Sequence, residues 1–234
     1  YGTSATIRNA DDESEMSLSL PFTNPTSIMP YTRQPLPSLA GVDRLGFDFE
    51  TDLEPNHRRT PYGFSYYTPD GRSGYVSIRH SNSANYDEET VRRWMKTELT
   101  GKTRVCAEAK HETAVARNFG VSFEDLGCNG SDEVLAHVFL ALLAQEELVD
   151  RKIELKGTKD WPIHERPASE VAEYAVMDSK LALQLDDVYT PRITDEDLDR
   201  VLDLENSIIY ATEEMERNGA YLDVEKLVRW RDEV

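Results

Sequence analysis

Cysteines are few in this 234-residue chain, and it has no long uninterrupted apolar run. The two cysteines, Cys106 and Cys128, are too few for a disulfide framework, form no redox or zinc motif, and fit a reducing compartment. The longest apolar run, residues 134–144, is interrupted by His137 and falls well short of the roughly 20 residues that a membrane span needs. Because the N-terminus also lacks the layout of a secretion signal, we predict a cytoplasmic protein with no membrane partner.

Basic residues are scarce relative to acidic ones. The chain has 26 Lys and Arg against 44 Asp and Glu, a formal charge of -18. This balance argues against broad electrostatic binding to duplex DNA, RNA or anionic membranes, which depends on dense positive charge. The 39% hydrophobic content lies in periodic segments, which argues against a disordered chain. Any role with nucleic acids therefore needs another source of positive charge.

The first segment of the chain has the composition of a tail. Residues 1–40 contain five of the eleven prolines, are rich in serine and threonine, and show no sustained apolar period. Such a segment is typical of a linker laid along a surface. We predict residues 1–41 to be an N-terminal tail or linker.

Strands are predicted next. From Arg44, apolar residues at positions 45, 47 and 49 alternate with glycine or acidic residues, which is the period of a strand with one apolar and one acidic face. Two further strands, Tyr62–Thr68 and Gly74–His80, flank a Pro-Asp-Gly turn. The three strands are predicted to form a meander.

The rest of the chain is mainly helical in pattern. A helix over Asp87–Leu99, stopped by Gly101, leads to a fourth strand, Thr103–Ala109, which a helical crossover should place parallel to an earlier strand. Further helices are predicted over His111–Phe119, Asp132–Glu147, Pro167–Tyr189 and Asp195–Asn218, with another starting at Asp223. This order predicts an α/β fold with a mixed sheet and a helical C-terminal extension.

Two carboxylates on the first strand form the first candidate site. Asp48 and Glu50 are two residues apart, so they share one face of the strand, only a few ångströms from each other. Two adjacent anions raise each other's pKa unless a cation lies between them, and a hard divalent cation such as Mg²⁺ is a common solution. A solvated acidic strand face is the alternative, and the pattern alone favours it.

Two later segments carry further candidates. Tyr174 and Asp178, spaced i and i+4, lie one turn apart on a helix face, where the carboxylate can hold a metal and the phenol can position or help deprotonate a water. A half-buried tyrosine beside an exposed aspartate is equally compatible with this spacing. Glu108 and Glu112 lie where a strand runs into a helix, and taken alone they are best explained as surface charge.

The order of these segments resembles a known family. Residues 46–52 (GFDFETD), 107–112 (AEAKHE) and 174–185 (YAVMDSKLALQL) resemble the three motifs of 3′–5′ exonucleases that have four metal-binding carboxylates and a tyrosine. Residues 156–161 (KGTKDW) resemble the segment before the third motif. Residues 204–223, above all Met215–Gly219, resemble the entry into the polymerase region of family-A, DNA polymerase I-like enzymes, as in many phage replicases. The resemblance covers residues 42–234.

The resemblance implies a fold and a domain plan. Residues 42–191 would form an exonuclease domain with an RNase H-like mixed β-sheet flanked by helices, and residues 192–234 the helical start of a polymerase region. No polymerase aspartates or nucleotide-binding helix follow, so the chain is not expected to synthesise DNA by itself. For a viral source, the compartment would be the host cytoplasm.

The resemblance also implies a reaction, the hydrolysis of the 3′-terminal phosphodiester of single-stranded or frayed DNA to nucleoside 5′-monophosphates. Asp48, Glu50, Glu112 and Asp178 would bind two divalent cations, Mg²⁺ or Mn²⁺, with Asp48 bridging them, and Tyr174 would orient the attacking water. The implied partners are a single-stranded DNA 3′ end and the remainder of the polymerase chain.

The implied DNA contacts lie beside these motifs. Thr51 and Leu53 would lie near the terminal nucleotide, with Glu108 and His111 at positions where the family has strand-holding residues. Here the chain departs from the family: Ala107 and Glu108 replace a Gln or His followed by Asn, His111 replaces an aromatic residue, and Glu112 replaces Asp. An extra carboxylate near DNA is unfavourable unless it binds metal.

Two alternatives remain open. These departures support an inactive or attenuated exonuclease-like module that scaffolds the polymerase, whereas the retention of Asp48, Glu50, Tyr174 and Asp178 counts against it. A free-standing exoribonuclease of related fold is disfavoured by the Met215–Gly219 stretch. Of the other polar residues, His57, Arg58 and Arg59 are predicted in a loop as solvated charge in preference to phosphate contacts, and His137 as a packed helix residue.

Overall fold

A mixed four-stranded sheet is the centre of the fold. The computed structural model describes residues 35–127, residue 148 and residues 161–233. Within them, β1 (Arg44–Thr51), β2 (Pro61–Tyr67) and β3 (Ser73–Ser77) form an antiparallel meander, and β4 (Thr103–Val105) pairs with β1 in parallel. The strand order is β3-β2-β1-β4. The predicted α/β fold with a mixed sheet and flanking helices is confirmed.

Helices cover both faces of the sheet and continue beyond it. Asp87 caps the first helix by accepting a hydrogen bond from the Thr90 backbone N–H, as helix N-terminal aspartates commonly do. The helices of the described residues are α1 (Glu88–Glu98), α2 (Ala109–Asn118), α3 (Phe123–Leu126), α4 (Ala168–Asp195), α5 (Asp199–Ser207), α6 (Ile209–Asn218) and α7 (Val224–Glu233).

Three predicted element ends differ from the structure by three or more residues. The third and fourth strands end at Ser77 and Val105, earlier than predicted, because their pairing with β2 and β1 stops there and α2 already begins at Ala109. The fourth helix runs through Pro191 to Asp195. Before the proline, this helix is tied to the sheet by Asp186, which pairs with Arg44 of β1.

The helix predicted over Asp195–Asn218 is two helices. Asp197 adopts a left-handed backbone conformation with φ 58°, which interrupts the helical conformation between α4 and α5. A second interruption, at Ile208, separates α5 from α6. The helix predicted over Asp132–Glu147, with His137, and the segment 156–160 lie outside the described residues, as does Cys128.

The apolar face of β1 lies in the main core. Leu45, Phe47 and Phe49 are buried there against Phe64 of β2. The Phe47 ring packs edge-on against Phe123 of α3 at a centroid distance of 5.6 Å. This face therefore follows directly from the alternation in the sequence.

The acidic face of β1 is covered by α4, not by solvent. Small residues permit this close contact: a Cβ placed on Gly46 would meet the Ser179 carbonyl oxygen at 1.9 Å. The Ser65 hydroxyl donates to the Ala175 carbonyl at 2.7 Å and contacts the Ser179 hydroxyl at 2.6 Å. Backbone-to-backbone contact thus fixes the position of α4 across β1 and β2.

We expect Gly46→Ala to destabilise the protein strongly. The added methyl group meets backbone, which cannot rotate away, so the cost should reach at least about 3 kcal/mol, the upper part of the range for overpacked cores. Gly74→Ala, whose Cβ would meet the Tyr66 side chain, should cost less. Urea unfolding measures both. A Gly46→Ala protein as stable as the wild type would mean that α4 is not seated on β1.

The end of the predicted tail packs onto the fold. Leu39 is fully buried in the main core, and its backbone N–H donates to Glu98 at 2.6 Å. The Trp94 indole donates to the Pro37 carbonyl, also at 2.6 Å. The segment from about residue 36 thus contributes to the core, and the boundary at residue 41 stays a prediction.

No helix in the described part of the chain combines the length and the apolar character that crossing a bilayer requires.

Candidate active site

The acidic face of β1 and the first half of α4 bring four predicted site residues together. Asp48 and Glu50 project from the face that α4 covers, and Glu50 is only 6% exposed. Asp178 is buried on α4, and Tyr174 lies one turn before it. The alternatives of a solvated strand face and of an exposed aspartate on α4 are therefore both wrong for this fold.

Tyr174 is surrounded by anions. Burial raises the pKa of its phenol far above the usual value, and the charges of Glu50, Asp178 and Asp48 raise it further. The phenol also donates a hydrogen bond to Asp178. In this arrangement the phenol keeps its proton at neutral pH, so it can act as a hydrogen-bond donor and not as a base.

Glu112 joins the same cluster from α2. It is only 2% exposed, and its Oε2 atom accepts a hydrogen bond of 2.8 Å from the backbone N–H of Phe49. Phe49 lies between Asp48 and Glu50, so this bond ties Glu112 to the acidic strand. Surface charge, the explanation favoured for Glu112 in isolation, is wrong.

The electrostatics of Glu112 reflect the closeness of these carboxylates. Burial raises its pKa well above the usual value, the charge of Asp48 raises it next, and Glu50 and Glu108 contribute in the same direction. The hydrogen bond from Phe49 opposes this rise in pKa by stabilising the carboxylate. The site therefore concentrates negative charge in a partly desolvated environment.

The donor chemistry of the cluster fits a hard divalent cation. Carboxylate oxygens are the ligands that Mg²⁺ and Mn²⁺ prefer, and a cation would relieve the repulsion that raises the pKa of Glu112. Across residues 35–127 and 161–233, however, no three acidic, histidine or cysteine side chains are arranged as a metal site. The chain thus offers suitable ligands, but the structure does not show them in ligating geometry.

The predicted DNA-contacting residues lie at the border of this cluster. Leu53 is 88% exposed just beyond the end of β1, after an irregularity in the β1–β2 pairing at Glu50 and Thr51. Glu108 immediately precedes α2 and is close enough to influence Glu112. His111 is buried, with its Nε2 atom 3.8 Å from Glu112 Oε1. Its ring is thus mostly covered by protein.

The residues that support the site belong to no recognisable sequence motif. Ser65 and Ser179 position α4, and Asn118 of α2 donates to the carbonyls of Asn56 and Arg59 at 2.9 and 3.0 Å, which holds the loop after β1. The only available signal was the run of small or polar residues on one face of β2, opposite Asp48. That pattern does not identify their partners.

The C-terminal segment that includes Met215–Gly219 contacts α2. Glu213 of α6 is buried and accepts hydrogen bonds from Arg117 at 2.6 Å and from Arg217 at 2.8 Å. Arg217, which belongs to the Met215–Gly219 stretch, also donates to Asn118 at 3.1 Å. The C-terminal extension therefore braces the helix that carries Glu112.

Comparison with known proteins agrees with the resemblance seen in the sequence. No family model matches the chain. The chain is 25% identical, over 82% of its length, to a DNA-directed DNA polymerase of Pseudomonas phage M6. It spans 33% of that relative.

Solved structures share the fold. The POL domain of Pol1 from M. smegmatis, solved with DNA primer-template and dNTP, aligns over 83% of this chain and 32% of its own, with a TM-score of 0.60 and 16% identity. Brucella melitensis NrnC with bound Mg²⁺ aligns over 81% of this chain and 94% of its own, with a TM-score of 0.57 and 18% identity. The RNase H-like fold is confirmed, and the chain is similar to part of a phage DNA polymerase.

Proposed function

We propose that this chain is a metal-dependent 3′–5′ exonuclease that removes nucleoside 5′-monophosphates from single-stranded or frayed DNA, as the proofreading part of a family-A DNA polymerase. The main support for this proposal is that carboxylates from β1, α2 and α4 and a protonated tyrosine lie in one partly buried cluster. A structural role alone does not account for it, because mutual repulsion between these groups costs stability.

The proposed roles follow from the positions of the side chains. Asp48, Glu50, Glu112 and Asp178 would hold two divalent cations, Mg²⁺ or Mn²⁺, which in such sites activate water and stabilise charge on the attacking and leaving oxygens. The Phe49 N–H fixes Glu112, and Asp178 fixes the phenol of Tyr174. Because its single proton is donated to Asp178, the phenol would orient the attacking water by accepting a hydrogen bond from it.

The proposed partners are the 3′ end of single-stranded DNA and the remainder of a polymerase chain, in the cytoplasm, or the host cytoplasm for a phage protein. Support for a polymerase partner comes from apolar side chains that α5 to α7 and their connections leave exposed: Val201, Leu204, Met215, Leu222, Val224 and Trp230. Contiguous exposed apolar patches mark surfaces that contact other protein segments.

An inactive exonuclease-like scaffold is the second candidate. Glu108 adds negative charge beside Glu112, where the single strand would approach, and this would repel DNA phosphates. A free-standing exoribonuclease is the third, which the phage polymerase relative disfavours.

An end-labelled substrate distinguishes these candidates. We expect the wild type to release mononucleotides from 3′-labelled single-stranded DNA with Mg²⁺ or Mn²⁺, and Asp48→Ala/Glu50→Ala to release none. Glu173→Ala is the matched control, because Glu173 is an exposed acid on α4 next to Tyr174. No release by the wild type with either metal would exclude the exonuclease and favour the scaffold, and faster cleavage of a matched RNA would favour the third candidate.

A further inference from the structure

The loop between β1 and β2 carries one arginine to the edge of the acidic cluster. The Arg59 Nη1 atom lies 3.3 Å from His111 Nδ1, and the opposite ring nitrogen of His111 lies 3.8 Å from Glu112 Oε1. A single imidazole ring thus separates the Arg59 guanidinium from a carboxylate of the proposed site. The Asn56 side chain contacts the same His111 nitrogen at 3.2 Å.

This loop is braced from both sides. The Asp52 carboxylate accepts hydrogen bonds from the backbone N–H groups of Glu54, at 3.3 Å, and Thr60, at 3.2 Å. On the opposite side, Asn118 donates to the Arg59 carbonyl, and the Arg59 Nε atom donates to the Glu54 carbonyl at 2.6 Å. The position of the guanidinium is therefore set before any ligand arrives, which lowers the entropic cost of binding one.

The charge of Arg59 is not neutralised by a carboxylate among the residues that the structure describes. Neighbouring cations are used differently: Arg117 pairs with Glu213, Lys110 with Glu216 and Arg79 with Glu88. The contacts of Arg59 are instead a backbone carbonyl and an imidazole. Its positive charge remains available to an anion at the edge of a cluster that otherwise repels anions.

We propose that Arg59 binds a phosphate of the nucleic-acid strand that enters the acidic cluster, and so positions that strand for hydrolysis. This inference rests on the proposed function. It answers the difficulty that the charge of -18 raises, because one preorganised guanidinium at the site can hold a phosphate without a basic surface. Arg59 acts as a positioning residue: it holds the strand, while the carboxylates and the phenol act on the scissile bond.

The first test measures strand binding without hydrolysis. With an oligothymidylate and EDTA, Arg59→Ala should raise Kd about five- to tenfold and lower the salt dependence of log K by about 0.7, the contribution of one phosphate in a single strand. Arg58→Ala is the matched control, since Arg58 is the exposed neighbour, and it should change Kd less than twofold. Arg59→Lys should keep the salt dependence. Equal effects of both alanine variants, or no measurable binding by the wild type, would overturn the proposal.

Replacing single phosphodiester linkages of the DNA with uncharged ones identifies which phosphate Arg59 contacts. One methylphosphonate at successive linkages from the 3′ end should weaken wild-type binding most at one position, and Arg59→Ala should be insensitive at that position, because both changes remove the same contact. Additive losses at every position would overturn the assignment.

Steady-state kinetics of DNA hydrolysis test the phosphate contact of Arg59 separately from the proposed exonuclease function. With Mg²⁺, Arg59→Ala should raise KM and leave kcat within about threefold, whereas a merely structural role would lower kcat and thermal stability as well. If the wild type binds DNA through Arg59 but does not hydrolyse it, the proposed function is excluded and the phosphate contact stands. If the wild type hydrolyses DNA and Arg59→Ala leaves KM unchanged, the proposed function stands and the phosphate contact of Arg59 is excluded.

Discussion

Replacing Asp48 with asparagine should lower the rate of mononucleotide release by at least about 10²- to 10³-fold, and in the absence of metal should make the protein more stable. The first effect is expected because Asp48 would be the ligand shared by both cations, and loss of one well-placed electrostatic contact has costs of this size. The second is expected because the charge of Asp48 raises the pKa of both Glu112 and Tyr174, which shows that it disfavours charge in the cluster.

The opposite signs make this experiment informative. Thermal unfolding in EDTA measures stability, and each kcal/mol gained should raise Tm by about 2–4 °C for a chain of this size. Glu173→Gln, an exposed carboxylate removed from the same region, should change neither quantity measurably. An Asp48→Asn variant with the native rate would exclude Asp48 from the reaction. A lower Tm in EDTA would show that the contacts of Asp48 outweigh its repulsion.

Titration of Glu112 should make the metal-free protein less stable as pH rises. The folded pKa of Glu112 lies well above its ordinary value of 4.5, so the folded state binds this proton more tightly than the unfolded state does. The stabilising contribution is fully present below pH 4.5 and is lost progressively as pH rises from there through the raised folded pKa. Above both pKa values, the loss amounts to about 1.4 kcal/mol for every pH unit that separates the folded pKa from the unfolded one.

Glu112→Gln isolates this effect. The amide cannot ionise, and its oxygen can still accept the hydrogen bond from Phe49, so the variant should lose the fall in stability above pH 4.5 and exceed the wild type near pH 7 in EDTA. Addition of Mg²⁺ should stabilise the wild type more than the variant, because a cation favours the charged form. Urea unfolding from pH 4 to 8 measures this. Parallel stability profiles for the two proteins would mean that Glu112 titrates normally.

Local patterns predicted much of the site. The alternation on β1 placed Asp48 and Glu50 on one face, and helical spacing placed Tyr174 and Asp178 one turn apart, since both periods are properties of the backbone alone. The residue order also indicated a resemblance to DNA polymerase I-like enzymes, and the chain is similar to part of a phage DNA polymerase.

Other features depended on contacts between residues far apart in the chain. Whether the acidic face of β1 meets solvent or protein was decided by Gly46 and Ser179, which are distant in sequence and allow two backbones to touch. The burial of Glu112 required the hydrogen bond from Phe49. Isolated patterns favoured surface charge for these acids because a short motif carries no information about what covers it.

By itself, the sequence determined the strand and helix periods, the four carboxylates and the tyrosine, and the scarcity of positive charge. Only the tertiary structure decided that these carboxylates form one buried, mutually repelling cluster and that Arg59 lies one imidazole ring away from it. The physical reason is that burial and charge interactions depend on distances across the fold, which hydrogen bonds and close packing between β1, α2 and α4 establish.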